Sequence, residues 1–216
     1  MKLTKYTHSC VRLENQAKVL VIDPGGFSEV EEALTGADYL LITHAHPDHF
    51  QPQKVLAYLA EHPEVQVFAP QPVVDEILSQ LPQASAQPCL GEEDLDLPGF
   101  AVKTYGGQHA LIHPLIPTIA NVGYLINGKV YHPGDSLVVP HDLTPEVLLL
   151  PIHAPWNKIQ EVIDFMLAVK APRAYPIHNA LLSDNGHTII EGQLSNFGQK
   201  YGTQYSHLPA GQSLEI

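Results

Sequence analysis

The order of apolar and polar positions predicts a chain in which short buried strands alternate with amphipathic helices. Residues 19–22, 39–42 and 147–150 are unbroken apolar runs, too short for helices and typical of strands covered on both faces. Residues 159–167 instead repeat their apolar side chains at helical spacing. Because strands and helices are intermixed along the chain, we expect an α/β or α+β fold.

Local signals place the remaining elements. Asn127-Gly128 between two apolar runs predicts a hairpin over residues 121–132. Pro52, just ahead of the apolar repeat of residues 54–61, marks the start of a helix. Residues 82–88 are predicted to be a loop. The other expected strands are 3–6, 10–14, 65–68, 100–104, 174–177 and short ones near Tyr205 and Leu214, and the other expected helices are 29–34, 72–80 and 188–201.

Length and composition limit the partners. The chain has 216 residues and a formal net charge of −12. This charge argues against nucleic acid or an anionic membrane as a partner, because both attract basic surfaces.

No linker divides residues 1–216, so we expect a single domain. The chain has no run suited to a signal peptide or a membrane span, which predicts a cytoplasmic protein. Cys10 and Cys89 match no redox or zinc spacing and are predicted to be free, buried thiols.

The densest group of reactive side chains lies directly after the buried strand of residues 39–42. The segment Thr-His-Ala-His-Pro-Asp-His brings together His44, His46, Asp48 and His49. Imidazole suits zinc, iron, nickel and copper, and a carboxylate adds charge and a harder oxygen donor. With a strand before it and a helix after it, the segment forms a firmly held loop. We interpret it as a metal site in which the first two histidines face one ion and the remaining pair face a second.

The motif H-x-H-x-D-H after a hydrophobic strand resembles the signature of the metallo-β-lactamase superfamily. The resemblance extends over nearly the whole chain. It implies a four-layer αββα sandwich, with two β-sheets face to face, helices outside and metal ions at one edge. It also implies further ligands at the ends of later strands, namely His109, Asp135 and His178. His113 competes with His109 for the first of these positions, and the glycines before His109 favour it by allowing close backbone approach.

The ligand set implied by the resemblance is dinuclear. One ion would be held by His44, His46 and His109, a second by Asp48, His49 and His178, with Asp135 bridging the two. A bridging carboxylate offsets the repulsion of two cations ~3.5–4 Å apart. Zinc suits the nitrogen-rich half best, and manganese and iron are alternatives. Asp48 and Asp135 are the predicted catalytic residues, because either carboxylate could steer a proton.

Several further residues at the ends of elements remain open. Asp23 resembles a supporting carboxylate of the family that orients a ligand, and a plain turn aspartate is the alternative. His8, His132 and His153 either contact ligands or substrate, or are buried histidines with satisfied hydrogen bonds. Trp156 is expected in the core or in a pocket wall.

The expected reaction is hydrolysis of a small metabolite, in which a metal-bound hydroxide attacks an ester, lactone or phosphodiester. The chain looks most like small stand-alone hydrolases related to the ascorbate-6-phosphate lactonase branch, through the strand Thr-His-Ser-Cys-Val-Arg-Leu and the segments Ile-Asp-Pro-Gly and Tyr-His-Pro-Gly-Asp-Ser. Its short length sets it apart from that lactonase. Two alternatives are a non-catalytic metal-dependent binding or regulatory module and a di-iron redox protein. Flavodiiron relatives carry Glu where this chain has His46, which favours hydrolysis.

Overall fold

Strands that are apolar on both faces need a covering layer on each side, and two β-sheets flanked by helices supply it. The structure, a computed structural model, describes residues 1–141 and 143–216. Over these residues, sheet A contains β1 (Lys2–Lys5), β2 (Val11–Asn15), β3 (Lys18–Ile22), β4 (Tyr39–Leu41), β5 (Gln66–Ala69), β6 (Ser85–Pro88) and β14 (Ser213–Glu215). Sheet B contains β7 (Asp94–Leu97), β8 (Phe100–Gly106), β9 (Val122–Ile126), β10 (Val130–His132), β11 (Val147–Pro151), β12 (Arg173–Ile177) and β13 (Gln204–Tyr205).

The helices lie on the outer faces of the sheets. They are α1 (Val30–Leu34), α2 (Pro52–Glu61), α3 (Gln71–Gln80), α4 (Ile159–Val169) and α5 (Asp184–Tyr201). Helix α2 begins at Pro52 as predicted, and the Gln51 side chain accepts a hydrogen bond from the Lys54 backbone N–H at 3.3 Å. Among the helices described, none combines the length and apolarity that crossing a bilayer requires.

Each sheet joins antiparallel and parallel strands. In sheet A, β3 to β6 run parallel, and in sheet B the same holds for β10 to β13. The register pairs Ile22 with Leu41 in sheet A, and Pro151 with Ile177 in sheet B. Parallel neighbours end at the same edge of a sheet, so the loops that follow them lie together.

Apolar side chains form three layers that account for the two-sided burial of the strands. Leu20 and Ile22 point between the sheets, where they pack in one cluster with Leu149 of sheet B. Val21, between them in sequence, instead faces the helices α1 to α3. Leu148 faces α4 and α5 on the opposite side. The alternation builds the layer order helix–sheet–sheet–helix, and the predicted αββα sandwich is confirmed.

The polar edges of the sheets are where the predicted elements were wrong. Residues 85–88 form β6, which pairs in parallel with β5, although they were expected to be a loop. Strand β7 was not predicted at all. Both are edge strands with many exposed side chains, so hydrophobic periodicity does not mark them.

Helix α5 begins at Asp184 rather than at residue 188, because the Ser183 hydroxyl caps it by accepting a hydrogen bond from the Gly186 N–H at 3.3 Å.

The cysteine prediction is confirmed. Cys10 and Cys89 are both free and buried. Burial raises the pKa of the Cys89 thiol to about 11, so this thiol is protonated at neutral pH.

We predict that Leu149→Ala, in the layer between the sheets, lowers the free energy of unfolding by ~2–5 kcal/mol. Leu149 has no exposed surface, and the truncation leaves a cavity that both sheets border. Leu115→Ala is the control, because Leu115 is 86% exposed, and its effect should stay within ~0.5 kcal/mol. Denaturant titration measures both variants. A loss below ~1 kcal/mol for Leu149→Ala would contradict the assignment of this layer as the core.

Candidate metal centre

The predicted ligands come from the ends of strands in both sheets. The loop after β4 carries His44 to His49, and the loop after β10 carries Asp135. His109 follows β8, and His178 comes directly after β12. These strand ends meet at one edge of the sandwich, so residues far apart in sequence become neighbours there.

The structure brings all seven predicted ligands together in two adjoining groups. Within each group, one ligand atom from every residue lies within 4.8 Å of the others. The first group consists of His44, His46, His109 and Asp135, and the second of His8, Asp48, His49 and His178. As predicted, His44, His46 and His109 fall in one group and His49 and His178 in the other. His8 is an additional member of the second group. His113, the competitor of His109, is exposed instead.

Hydrogen bonds fix which imidazole nitrogen each histidine presents to the centre. His109 Nδ1–H donates to the Ala110 carbonyl at 2.6 Å, and His178 Nδ1–H donates to the His153 carbonyl at 2.6 Å. His49 Nδ1–H donates to Asp23 Oδ2 at 2.7 Å. With Nδ1 protonated in each of the three, Nε2 carries the lone pair that a metal ion needs.

Asp23 and Thr43 orient the start of the histidine loop. The buried Asp23 carboxylate accepts from the Thr43 backbone N–H and hydroxyl, both at 2.7 Å. Because the Thr43 hydroxyl donates to Asp23, it can accept from His44 Nδ1–H, 2.9 Å away. His44 then presents Nε2, which lies 3.1 Å from Nδ1 of His46. These contacts favour an orienting role for Asp23 over that of a plain turn aspartate.

Asp135 lies at the junction of the two groups. Its Oδ1 is 3.1 Å from His49 Nε2, and its Oδ2 is 3.3 Å from His109 Nε2 and 3.1 Å from His178 Nε2. The Trp156 indole N–H donates to Oδ2 at 2.8 Å. A carboxylate placed between both sets of nitrogens has the position expected of a bridging ligand.

Three buried atoms of the centre lack hydrogen-bond partners among the described residues, and they show that the residues fit a metal ion. These atoms are His49 Nε2, His109 Nε2 and Asp135 Oδ1. A buried polar atom without a partner costs ~1–3 kcal/mol, so such atoms are rare in folded proteins. Their convergence on one region, with nitrogen and carboxylate donors, is the donor set of a transition-metal site.

The charges of the centre also favour binding of a cation. Burial would lower the pKa of His49, but the carboxylates of Asp135 and Asp23 raise it well above its ordinary value. Without an ion, the centre therefore favours a second proton on His49, at the Nε2 position that a metal ion would take on binding. Burial would likewise raise the pKa of Asp135, but His49 and neighbouring imidazoles hold it well below its usual range. The Asp135 carboxylate thus stays ionised in a buried place, where it attracts positive charge.

The three histidines whose roles the sequence left undecided, His8, His132 and His153, differ in the contacts that they make. The imidazole of His8 is buried, with Nε2 3.2 Å from Asp48 Oδ2 and Nδ1 accepting from the Ala180 N–H. Burial would raise the pKa of Asp48, but the hydrogen bond from His8 and nearby imidazoles lower it to about 2. His132 is a satisfied core histidine, since Nε2–H donates to the Ser9 carbonyl and Nδ1 accepts from the Gly134 N–H. His153 contributes its backbone carbonyl.

Glycines are needed at two close approaches near the centre. A Cβ on Gly134, whose φ is +62°, would lie 2.3 Å from Asn121 Oδ1, the atom that accepts from the Asp135 N–H. A Cβ on Gly25 would lie 1.7 Å from the Asp48 carbonyl oxygen. The close approach predicted for the glycines before His109 is not seen, because a Cβ on Gly107 would contact nothing within 4 Å and one on Gly106 nothing closer than 3.4 Å. Their φ values of +146° and +81° account for the two glycines instead.

A pocket of about 480 Å³ opens onto the centre. His46, Asp48, His109, Asp135 and His178 line its floor, and Trp156 forms part of a wall. The expectation that Trp156 is a pocket wall is met, while its hydrogen bond to Asp135 was not foreseen. The sequence carries no signal for that bond, because the indole reaches Asp135 only through the fold of the loop after β11.

A third group of possible ligands lies elsewhere, at the start of α5. His187 Nδ1 and His207 Nδ1 lie 2.6 Å and 2.9 Å from Oε1 of Glu191. The three side chains are partly exposed. Their contacts are those of an ion-pair and hydrogen-bond cluster on the surface.

Comparison with known proteins identifies the family. The family model of the beta-lactamase superfamily domain matches residues 2–178. The chain belongs to the β-lactamase superfamily. Protein Rv0786c of Mycobacterium tuberculosis is 38% identical to it over 208 residues, covering 90% of this chain and 92% of that protein. The UPF0173 metal-dependent hydrolase MJ1163 of Methanocaldococcus jannaschii is 23% identical over 230 residues, covering 99% of this chain and 100% of that protein.

Solved structures of the superfamily share the fold over the whole chain. Igni18, a metallo hydrolase of Ignicoccus hospitalis, superposes with a TM-score of 0.74 at 20% identity and covers 100% of this chain and 98% of its own. CmlA, a diiron β-hydroxylase of Streptomyces venezuelae, gives 0.73 at 18% identity, covering 100% of this chain and 54% of its own. The predicted superfamily and its enzyme class, metal-dependent hydrolase, are confirmed. The ascorbate-6-phosphate lactonase-like branch stays a prediction.

We predict that Asp23→Asn weakens zinc binding by ~10–100-fold. Three donors converge on the Asp23 carboxylate, so the amide NH₂ of Asn would face one of them and turn His49 or Thr43 out of position. Competition with a chromophoric chelator measures the affinity, and circular dichroism checks the fold.

The control for this variant is Asp75→Asn, on the exposed face of α3, which should bind zinc as the wild type does. Equal zinc affinity of the folded Asp23→Asn protein and the wild type would refute the orienting role of Asp23.

Proposed function

We propose that the chain is a dinuclear metal-dependent hydrolase that cleaves an ester, lactone or phosphodiester of a small metabolite. The observation that carries the proposal is the position of Asp135, whose two carboxylate oxygens lie within about 3.3 Å of imidazole nitrogens from both ligand groups. When bound, two divalent ions would polarise the scissile carbonyl or phosphoryl oxygen and lower the pKa of a water. Zinc suits the nitrogen-rich donors best, with manganese and iron as alternatives.

The protein residues would hold, orient and move protons at this centre. One ion would be held by His44, His46 and His109, the other by Asp48, His49 and His178, and both by Asp135. Asp48 is the less buried carboxylate, lines the pocket and is steadied by His8. It is therefore the residue best placed to hold a proton beside the substrate. Asp135 is enclosed by imidazoles and the Trp156 N–H, which favours a positioning role.

A small-molecule substrate is supported by charge and size. The net charge of −12 disfavours a long polyanion, and the described residues that line the pocket include no lysine or arginine. A pocket of about 480 Å³ is within the size range of sites for small organic molecules.

The second candidate function is di-iron redox chemistry, because CmlA shares this fold and is a diiron enzyme. His46 favours hydrolysis over flavodiiron chemistry, since the flavodiiron relatives carry Glu at that position. Iron content and a visible absorbance band of the purified protein distinguish the two. A metal-dependent binding module is the third candidate, and it would bind metal without any turnover.

We predict that zinc-reconstituted protein binds about two ions per chain and that variants in each ligand group lose about one. His46→Asn tests the first group. His178→Asn tests the second, and Asn tolerates the positive φ of +55° at this position. Elemental analysis after gel filtration is the measurement. The control is His62→Asn, because His62 lies at the C-terminal end of α2, belongs to neither ligand group and contacts Glu64 at 3.3 Å. If both test variants still bound two ions per chain, the dinuclear assignment would be wrong.

We predict that Asp48→Asn lowers turnover by ~10²–10⁴-fold, because the amide cannot take up the proton that a carboxylate accepts. The assay is a panel of chromogenic esters, lactones and phosphodiesters whose hydrolysis stops with a chelator. Asp164→Asn, exposed on α4, is the matched control and should retain full activity. If folded, metal-loaded Asp48→Asn turned over at the wild-type rate, another group would have to move the proton.

A further inference from the structure

The pocket above the candidate metal centre is polar only at its floor. Its walls include Phe27, Ile112, Pro155, Trp156 and Leu181. Among the wall residues that the structure describes, the one polar side-chain group is the Trp156 indole N–H, and it already donates to Asp135. Hydroxyl, amide and cationic side chains are missing from the described lining. Beyond the reacting group, a bound substrate would therefore meet hydrocarbon.

The apolar wall continues to the surface. Phe27 is 46% exposed, Ile112 is 37% exposed and Leu181 is 61% exposed at the mouth of the pocket. The loop that follows His109, which contributes Ile112 to the pocket, also carries the exposed residues Leu111, Leu115 and Ile116. Large apolar side chains grouped at the mouth of a site, rather than scattered singly, mark a surface that binds an apolar partner.

This lining selects against charged and hydroxyl-rich substrates. A phosphate, a carboxylate or a sugar hydroxyl inside the walls would lose its water and gain no hydrogen bond, which is costly. No described side chain of the walls could neutralise an anion, and the chain as a whole carries a net charge of −12. A hydrocarbon group gains by leaving water for the same surface.

We propose that the substrate is an uncharged carboxylic ester or lactone whose acyl part is a hydrocarbon chain or ring held by Phe27, Ile112 and Leu181. This rests on the proposed function and narrows it, since it removes the phosphodiester. In the reaction a water oxygen forms the new bond to the carbonyl carbon and the C–O bond to the leaving group breaks. A proton passes to the leaving oxygen, giving a carboxylic acid and an alcohol.

The fluorescence of Trp156 tests occupancy of the pocket without turnover, because Trp156 is the single tryptophan of the chain. The probes are 2-hexanone, 2-octanone and 7-oxooctanoate, titrated into zinc-loaded protein. The ketones carry the same carbonyl but cannot be hydrolysed. 7-Oxooctanoate matches 2-octanone in length but ends in a carboxylate. We expect 2-octanone to bind ~10-fold more tightly than 2-hexanone, since each methylene contributes ~3–4-fold. We expect 7-oxooctanoate to bind at least ~10-fold more weakly than 2-octanone.

A pair of variants tests the wall directly. Leu181→Asn should weaken 2-octanone binding about fivefold, because it removes apolar surface at the mouth. Leu90→Asn is the control, since Leu90 is 64% exposed, close to the 61% of Leu181, and lies outside the pocket. Both side chains are exposed, so neither substitution should affect folding.

Turnover separates the failure of this inference from the failure of the proposed function. Hydrolysis should favour octanoate over butyrate esters of one leaving group and both over a phosphodiester. Equal binding of 2-octanone and 7-oxooctanoate, or faster cleavage of the phosphodiester by an enzyme that does hydrolyse, would overturn the substrate class alone. No hydrolysis of any substrate by protein carrying two ions would refute the hydrolase itself.

Discussion

Asp135 is the residue on which the centre depends, because it brings negative charge into a buried cluster of imidazole nitrogens. Its carboxylate lies within hydrogen-bond distance of nitrogens from three histidines and of the Trp156 N–H. When imidazole lone pairs and a carboxylate are buried side by side, they repel one another or lack hydrogen-bond partners unless cations bind between them. The unpartnered atoms of His49, His109 and Asp135 are the direct sign of this requirement.

The rest of the fold serves to hold these donors in place. Asp23 and the histidine loop extend from sheet A, whereas His109, Asp135 and His178 extend from sheet B. Metal ions bound between them would connect the two sheets at the open edge of the sandwich. Such ions would stabilise the folded state, more so the more tightly they bind, so the centre would contribute to stability as well as to chemistry. The apolar walls above the floor then give the same edge a preference for hydrocarbon.

The sequence predicted the parts of this arrangement that depend on local pattern. The apolar runs at residues 19–22, 39–42 and 147–150 are strands because both of their faces are covered, and alternation of residues such as Val21 and Ile22 between layers follows from the two-residue period of a strand. The close spacing of His44 to His49 predicted the candidate metal loop, and the family resemblance implied His109, Asp135 and His178, which the structure brings beside it. Polar edge strands such as β6 and β7 escaped prediction because pairing with a neighbour, rather than burial, holds them in the sheet.

Contacts made through the backbone or between distant loops could not be read from the sequence. The His153 carbonyl that orients His178, the Trp156 indole on Asp135 and the contact of His8 with Asp48 each join segments 21 or more residues apart. Residue type gives no sign of such contacts, since a backbone carbonyl is present at every position. They become visible only when the strand ends meet.

The most direct test of the account is a crystal structure of zinc-loaded protein with anomalous scattering data collected above the zinc edge. We predict two peaks ~3.5–4 Å apart on either side of Asp135. One peak should contact His44, His46 and His109, and the other should contact Asp48, His49 and His178. An empty edge with full zinc in the crystallisation solution, or a peak at His187, Glu191 and His207 alone, would contradict it.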